Sequence, residues 1–311
     1  MAPGPTLRAT LASFRPPKPD FTEKDVPDLQ GKVCLVTGSN TGVGKEVARI
    51  LYAKGAKVWV AARSEEKAKA AIEEIKISTP DSTGELVFLH LDLSDLNLVK
   101  KAAEDFLARE KNRLHILFNN AGVMVSTPEA TKTVQGHELS LGVNCIGTLL
   151  FAKLLTPLLV DTAKSEPANT VRIVWLSSFG LELFAAKDLG VSLNNLDYHE
   201  PKPATERYGI SKCGAWALGV EYARRHKADG IVSVPINPGN LTSELARDQP
   251  LALKALVKLV GYPPVMGAYT ELFAAFSPQV TLDKSGEWGM RLISLFFPLI
   301  FLVKESNYLL C

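Results

Sequence analysis

Val33-Cys-Leu-Val-Thr-Gly-Ser-Asn-Thr-Gly-Val-Gly-Lys45 sets three glycines, Gly38, Gly42 and Gly44, directly after an apolar run. The run has the length and β-branched character of a buried strand, and a helical pattern begins beside Gly44, so the glycines occupy a strand-to-helix turn. At such a turn the missing side chains let backbone N–H groups approach a pyrophosphate at the positive end of the helix. The spacing is G-x-x-x-G-x-G, which departs from the G-x-G-x-x-G dinucleotide fingerprint, and a tight glycine turn without a ligand competes with the phosphate reading.

Strand-like runs at 33–38, 58–63, 86–91, 115–119, 171–177 and 231–236 alternate with helix-like segments near 43–54, 65–77, 95–110, 134–160 and 205–227. Strands bounded by helices imply right-handed crossovers and a mostly parallel sheet covered on both faces. The predicted architecture is a doubly wound, Rossmann-like α/β sandwich of three layers, with strands apolar throughout. No repeat, low-complexity tract or linker interrupts it. Residues 31–289 read as a single domain, with an arm over 1–30 and an apolar tail over 290–311.

The chain has 311 residues, 46% hydrophobic and 22% charged, which is enough for a full core and excludes a disordered chain. Thirty-five basic residues against 33 acidic ones leave a formal charge of +2, scattered along the chain, so nothing recommends nucleic acid as a partner. Cys34, Cys145, Cys213 and Cys311 form no C-x-x-C pair or metal-ligand spacing, which predicts a reducing, cytoplasmic setting and no metal. His90 and His115 lie in apolar strands and read as hydrogen-bonded core residues. Pro3, Pro5, Pro16, Pro17, Pro19 and Pro27 break up the first thirty residues, which lack the apolar core of a secretory signal. Arg8, Arg15 and Lys18, with no acid before residue 20, leave a transit peptide as the disfavoured alternative. At the other end, 292–303 is an apolar run of 12 residues containing Pro298, against the about 20 needed to span a bilayer. A buried terminal segment is favoured there over a membrane-surface contact.

At the end of the second strand stands Ala61-Ala62-Arg63-Ser64. NAD-binding units place an Asp or Glu there to accept from the ribose 2′-hydroxyl, whereas a cation beside a small hydroxyl suits a 2′-phosphate. Arg63 therefore points to NADP(H), with a solvated helix-start residue as the plainer alternative.

Thr37-Gly38-x-x-x-Gly42-x-Gly44, Asn119-Asn120-Ala121-Gly122, Ser178, Tyr208-x-x-x-Lys212 and Asn237-Pro238-Gly239 follow one another along the chain. With these five motifs spread over about residues 30–289, the chain resembles the short-chain dehydrogenase/reductase family. Residues 37–46 and 119–124 are most similar to its retinol-dehydrogenase-like branch and to fungal members. The resemblance implies that Gly38, Asn40, Gly42, Val43 and Gly44 surround the pyrophosphate and that Asp92 contacts the adenine, a helix-capping Asp92 being the competitor. It also implies that Asn119 stabilises the turn after the fourth strand, that Gly122 leaves room for the adenine ribose, and that Leu241 and Thr242 meet the cofactor. The glycosylation spacing of Asn240-Leu241-Thr242 is set aside, since a glycan there would block the site. Asn144 matches the family's helix asparagine that supports a proton-conducting water, although a buried capping or kink-stabilising Asn fits the local sequence nearly as well.

The chemistry of the remaining residues can be derived directly. Reducing a ketone needs hydride at carbon and a proton at oxygen, and a tyrosine can supply the proton if its pKa near 10 is lowered. Tyr208 and Lys212 are four apart on a predicted helix, hence on one face, where an ammonium favours the tyrosinate and can hold the nicotinamide ribose. Ser178, at the carboxyl end of the fifth strand, is placed to hydrogen-bond the substrate oxygen, Ser177 being the alternative that the family pattern disfavours.

Residues 179–207 form an insertion of twenty-nine residues beside these groups, too long for a simple strand-to-helix loop. Phe179, Leu181, Leu183, Phe184, Leu193, Leu196 and Tyr198, with Leu241, Leu245 and Leu251 opposite, suggest a wall for a bulky apolar carbonyl or alcohol. A terpenoid, polyketide, steroid-like or retinoid molecule fits, in the setting of secondary metabolism, and an NADP preference tilts the reaction towards reduction. The alternatives are related family chemistry, namely double-bond reduction or epimerisation, a non-catalytic dinucleotide-binding regulator, and a membrane-attached scaffold using the tail. The resemblance also implies homodimers formed through the helices at 134–160 and 205–227.

Overall fold

The computed structural model describes residues 18–125, 127, 131–185, 190–242, 261–287 and 289–290. Arg8, Arg15, Leu245, Leu251, the run 292–303 and Cys311 lie outside the described residues.

The strands are β1 (Val33–Thr37), β2 (Lys57–Ala62), β3 (Glu85–His90), β4 (Ile116–Asn119), β5 (Arg172–Leu176), β6 (Val232–Asn237) and a two-residue β7 (Gly289–Met290). They form one sheet in the order β3-β2-β1-β4-β5-β6-β7, every pairing parallel. The order reverses at β1, between β2 and β4, and an open α/β sheet has its ligand crevice beyond the carboxyl ends at such a point.

Successive residues of each strand feed opposite layers because the side-chain period is two. On one face Cys34, Val36, Phe118, Val174 and Val234 pack under α1 (Gly42–Ala53) and α7 (Pro264–Phe276). On the other, Leu35, Trp59, Leu117, Ile173 and Trp175 pack under α3 (Leu96–Arg109), α4 (Leu139–Ser165) and α6 (Ala204–His226). Ala68 and Ile72 of α2 (Glu65–Ser78) cover Val60 and Ala62. Helix α4 is long and apolar enough by composition to cross a membrane, yet it buries Phe151, Leu155 and Leu159 in the sheet core.

Four expectations change. β3 is the edge of the sheet, so it is not apolar on both faces: Glu85 and His90 are exposed. His115 does sit in the core, where Nδ1 accepts the Val33 N–H at 2.9 Å and Nε2 faces Glu166 Oε1 at 3.2 Å. Helix α4 starts at Leu139 instead of 134, because Lys132 and Glu138 form an antiparallel bridge around the turn at Gly136, whose φ is +85°. The Glu138 carboxylate then caps the helix by accepting the Leu141 N–H at 2.8 Å. Helix α7 was missed, although Pro264 at its first turn is a start signal. β7 pairs with β6 through Gly289 and Met290, so the sheet continues past residue 289, where the apolar tail was expected to begin.

Candidate active site

Gly38 and Gly42 have φ of +67° and +59°, the left-handed region that glycine enters at no steric cost. Gly44 serves a different purpose. A Cβ there would lie 2.4 Å from Asn120 Nδ2 and 2.8 Å from the Gly38 carbonyl, so its absence lets helix α1 press against the turn after β4. The Asn120 amide donates to the Thr37 carbonyl at 2.7 Å, and Thr37 Oγ1 accepts the Ala121 N–H at 2.9 Å. The tie between β1 and β4 is thus made by Thr37 and Asn120. Asn119, expected to stabilise the turn after β4, has its side-chain nitrogen and oxygen buried without a partner among the described residues. Asn119 ends β4 and Asn120 opens the turn after it, and the motif alone does not say which surroundings each meets.

The Val43 side chain belongs to the core, leaving only its backbone for the turn, and Asn40 is half-buried. Thr41 caps α1 without a side-chain hydrogen bond, and its first turn carries no acid. Arg63 is exposed at the end of β2, and Ser64, not Arg63, caps α2 by accepting the Lys67 N–H. Asp92 is not a helix cap either: its Oδ1 accepts from the backbone and hydroxyl of Ser94 at 2.9 and 2.6 Å, and Asp95 caps α3. Leu241 bridges to Tyr262, whose carbonyl accepts both the Thr242 N–H at 2.8 Å and its hydroxyl at 3.1 Å. The Thr242 hydroxyl proton is therefore spent within the protein.

Tyr208, Lys212 and Ser178 converge at the carboxyl end of β5. The Tyr208 phenol lies beside the Ser178 hydroxyl, which accepts the Gly180 N–H at 3.1 Å. Lys212 Nζ lies 5.9 Å from the centre of the Tyr208 ring and donates to the Leu176 carbonyl at 2.7 Å. The Ser177 hydroxyl is committed to the Lys212 carbonyl, so of the two serines only Ser178 addresses Tyr208. Burial pushes the half-buried phenol up to about 12, against the lowering by Ser178. Burial likewise brings buried Lys212 down to about 8. The lowered tyrosine expected from the sequence is not a property of the protein atoms alone.

Asn144 lies in a π-helical turn, Gly142–Gly147, within α4. Its amide accepts from the Val123 N–H at 2.9 Å and donates to the Val123 carbonyl at 3.0 Å and Ser211 Oγ at 2.9 Å. It tethers the loop behind Lys212 instead of capping a helix. A Cβ on Gly122 would lie 3.0 Å from Lys212 Nζ and 3.2 Å from Asn144 Oδ1. The missing side chain at Gly122 thus leaves room for this pair.

The insertion holds a short helix, α5 (Gly180–Phe184), laid on α6. Gly209 permits that approach, since a Cβ there would be 2.6 Å from the Phe184 ring. Leu181 packs with Cys213 and Trp216, while Leu183, Leu193 and Leu196 are exposed. Arg207, which the sequence gave no reason to single out beyond its place before Tyr208, donates to the carbonyls of Lys202 at 2.8 Å and Thr127 at 2.7 Å. Its Nε also faces Glu138 at 3.6 Å.

The family model described as short chain dehydrogenase matches residues 32–180, from β1 to the start of α5. A short-chain dehydrogenase/reductase of Phomopsis amygdali is 52% identical over 293 residues, covering 91% of this chain and 86% of its own. The short-chain dehydrogenase/reductase sthC of Phaeosphaeria nodorum is 51% identical over 285 residues, covering 91% and 90%. The chain belongs to the short-chain dehydrogenase/reductase family. A solved short-chain type dehydrogenase/reductase of Mycobacterium marinum shares the fold, with a TM-score of 0.63 at 21% identity over 86% of this chain and 95% of its own.

As a short-chain dehydrogenase/reductase the protein is an oxidoreductase of a family that uses NAD(P). The residues present fit that cofactor. The left-handed glycines, the open positive end of α1 and the orphaned, buried Asn119 amide all lie at the switch in strand order.

Proposed function

We propose that the protein is an NADP(H)-dependent oxidoreductase interconverting a ketone or aldehyde and an alcohol on a bulky apolar substrate. A terpenoid, polyketide, steroid-like or retinoid molecule of secondary metabolism is the expected class. The reading rests on one arrangement: the Ser178 hydroxyl beside the Tyr208 phenol, with Lys212 over the ring and donating to the Leu176 carbonyl.

Gly38, Gly42 and Gly44 would receive the pyrophosphate, Arg63 the 2′-phosphate and Lys212 the nicotinamide ribose. When bound, the nicotinamide supplies or accepts the hydride. In reduction Tyr208 donates its phenolic proton to the substrate oxygen, general acid help worth about 10² to 10⁴ in rate. Ser178 donates a hydrogen bond to the same oxygen and keeps it at the phenol. The Lys212 ammonium offsets the tyrosinate that remains. Exposed Leu183, Leu193 and Leu196 are the apolar surface on which a bulky substrate would lie.

Calorimetric binding of NADPH and NADH, followed by turnover of decalone-sized and acetone-sized ketones, tests the reading. Tight NADPH binding with preference for the larger ketones supports it. Failure of both cofactors to bind, or better turnover of the small ketones, overturns the corresponding half.

A further inference from the structure

Glu271 is fully buried on α7, and neither of its carboxylate oxygens has a hydrogen-bond partner among the described residues. A carboxylate in that position is costly unless it is neutral or balanced by a cation. Its neighbours on the helix, Ala268, Leu272 and Ala275, belong to the hydrocarbon core. One turn earlier on the same face, a Cβ on Gly267 would meet Leu241 at 2.4 Å, Val43 at 3.1 Å and Pro238 at 3.3 Å. Glu271 therefore lies one turn beneath the place where the glycine turn and the loop after β6 meet. Lys212 reaches the same edge of the sheet from the opposite layer, where its ammonium has a single neutral acceptor, the Leu176 carbonyl. The Leu176 side chain packs into the core on the α7 side.

Among the described residues, the other ionisable groups near either residue are accounted for. On α6 and α4, Lys212 faces Tyr208 and the Cys145 thiol, which burial pushes up to about 12. On α1, Lys45 pairs with Glu74 and Arg49 with Glu46, and Tyr52 lies in the core. Arg172 of β5 is held by the Ala274 and Ser277 carbonyls at the far end of α7, and Glu23 bonds Tyr269. Strands β6 and β7 carry no ionisable side chain. Burial raises Glu271 and lowers Lys212, and the charge of each opposes the shift in the other.

We propose that Glu271 is a positioning residue for the Tyr208–Lys212 pair, its sealed carboxyl exchanging with Lys212 the proton that keeps the ammonium charged. The proton leaves the carboxyl O–H and arrives on the lysine nitrogen, forming carboxylate and ammonium from acid and amine with no change in oxidation state. The two groups titrate as a coupled pair. This inference rests on the oxidoreductase reading for its effect on turnover, but the proton itself can be detected without turnover.

The test uses the full chain. Infrared difference spectra of the wild type between pH 7 and pH 9.5 should lose a protonated-carboxyl band, and Glu271→Asp should displace that band. Glu271→Gln removes the carboxylate that retains the lysine proton, so the alkaline limb of kcat/KM should move down by about half a pH unit or more, with Glu271→Asp restoring it. The number of protons exchanged on NADPH binding, measured by calorimetry in buffers of different ionisation enthalpy, should change in Glu271→Gln. Absence of the carboxyl band, or a Glu271→Gln pH profile and proton count that superimpose on the wild type, overturns the inference. If no cofactor binds, the oxidoreductase reading falls, and the infrared band still decides whether Glu271 holds a proton.

Discussion

The Ser177 hydroxyl donates to the Lys212 carbonyl at 2.6 Å, latching the end of β5 to the turn of α6 that follows Tyr208. Ser177→Ala removes one buried hydrogen bond, a loss of about 1 kcal/mol that should lower Tm by about 2 °C. Ser178→Ala should leave Tm close to the wild type and lower kcat by about 10² or more, because it removes a donor to the reacting oxygen. Equal effects of the two variants on kcat would contradict this division of labour.

Gly44 occupies helical backbone, where alanine is ordinarily better by about 1 kcal/mol. Here Gly44→Ala should destabilise, since its Cβ would meet Asn120 Nδ2 at 2.4 Å and the Gly38 carbonyl at 2.8 Å. Adding Asn120→Ala should restore only part of the loss, because the carbonyl contact persists and the bond to Thr37 is gone. Thermal unfolding of the two single variants and the double variant measures this coupling.

With Tyr208 pushed up to about 12 and Lys212 brought down to about 8, both groups carry their protons at neutral pH. Reduction should be level near pH 7 and decline as the ammonium is lost above about 8. Oxidation needs the phenol deprotonated and should rise over the same range. Tyr208→Phe should lower kcat by about 10² to 10⁴ in both directions. A reductive rate that climbs from pH 7 to pH 9 would count against the assignment.

Arg63→Asp replaces the cation at the end of β2 by the acceptor that a bare ribose needs. NADPH affinity should fall by about tenfold or more and NADH affinity should not, as read by calorimetric titration. Equal losses for both cofactors would mean that Arg63 does not face the 2′-phosphate.

The imidazole of His115 accepts from the Val33 N–H, which it can do only when neutral, and burial holds its pKa below the usual 6.5. Because the folded value is depressed, its contribution to stability is complete above 6.5 and is lost as pH falls through the folded value. Glu166, lowered chiefly by Lys32, has the same sign: its contribution is complete above its usual 4.5 and is lost on acidification through its lowered value. Tm should therefore fall from pH 7 towards pH 5, and His115→Gln should flatten the first part of that fall.

Much of the protein is legible in the chain itself. Apolar strands alternating with helical patterns require a parallel sheet, because parallel strands need crossovers and those crossovers cover both faces. Four-residue spacing puts Tyr208 and Lys212 on one helix face, and the structure keeps them there. Such features depend on neighbours in sequence. The tertiary structure alone decided that β3 is an edge and leaves His90 exposed, that Asn120 ties the turn after β4 to β1, and that Gly122 makes room for Lys212. It also decided that Glu271 is fully buried on α7. The physical reason is distance along the chain: Asn120 and Thr37 are 83 residues apart, and no local period records which helix will cover which strand end.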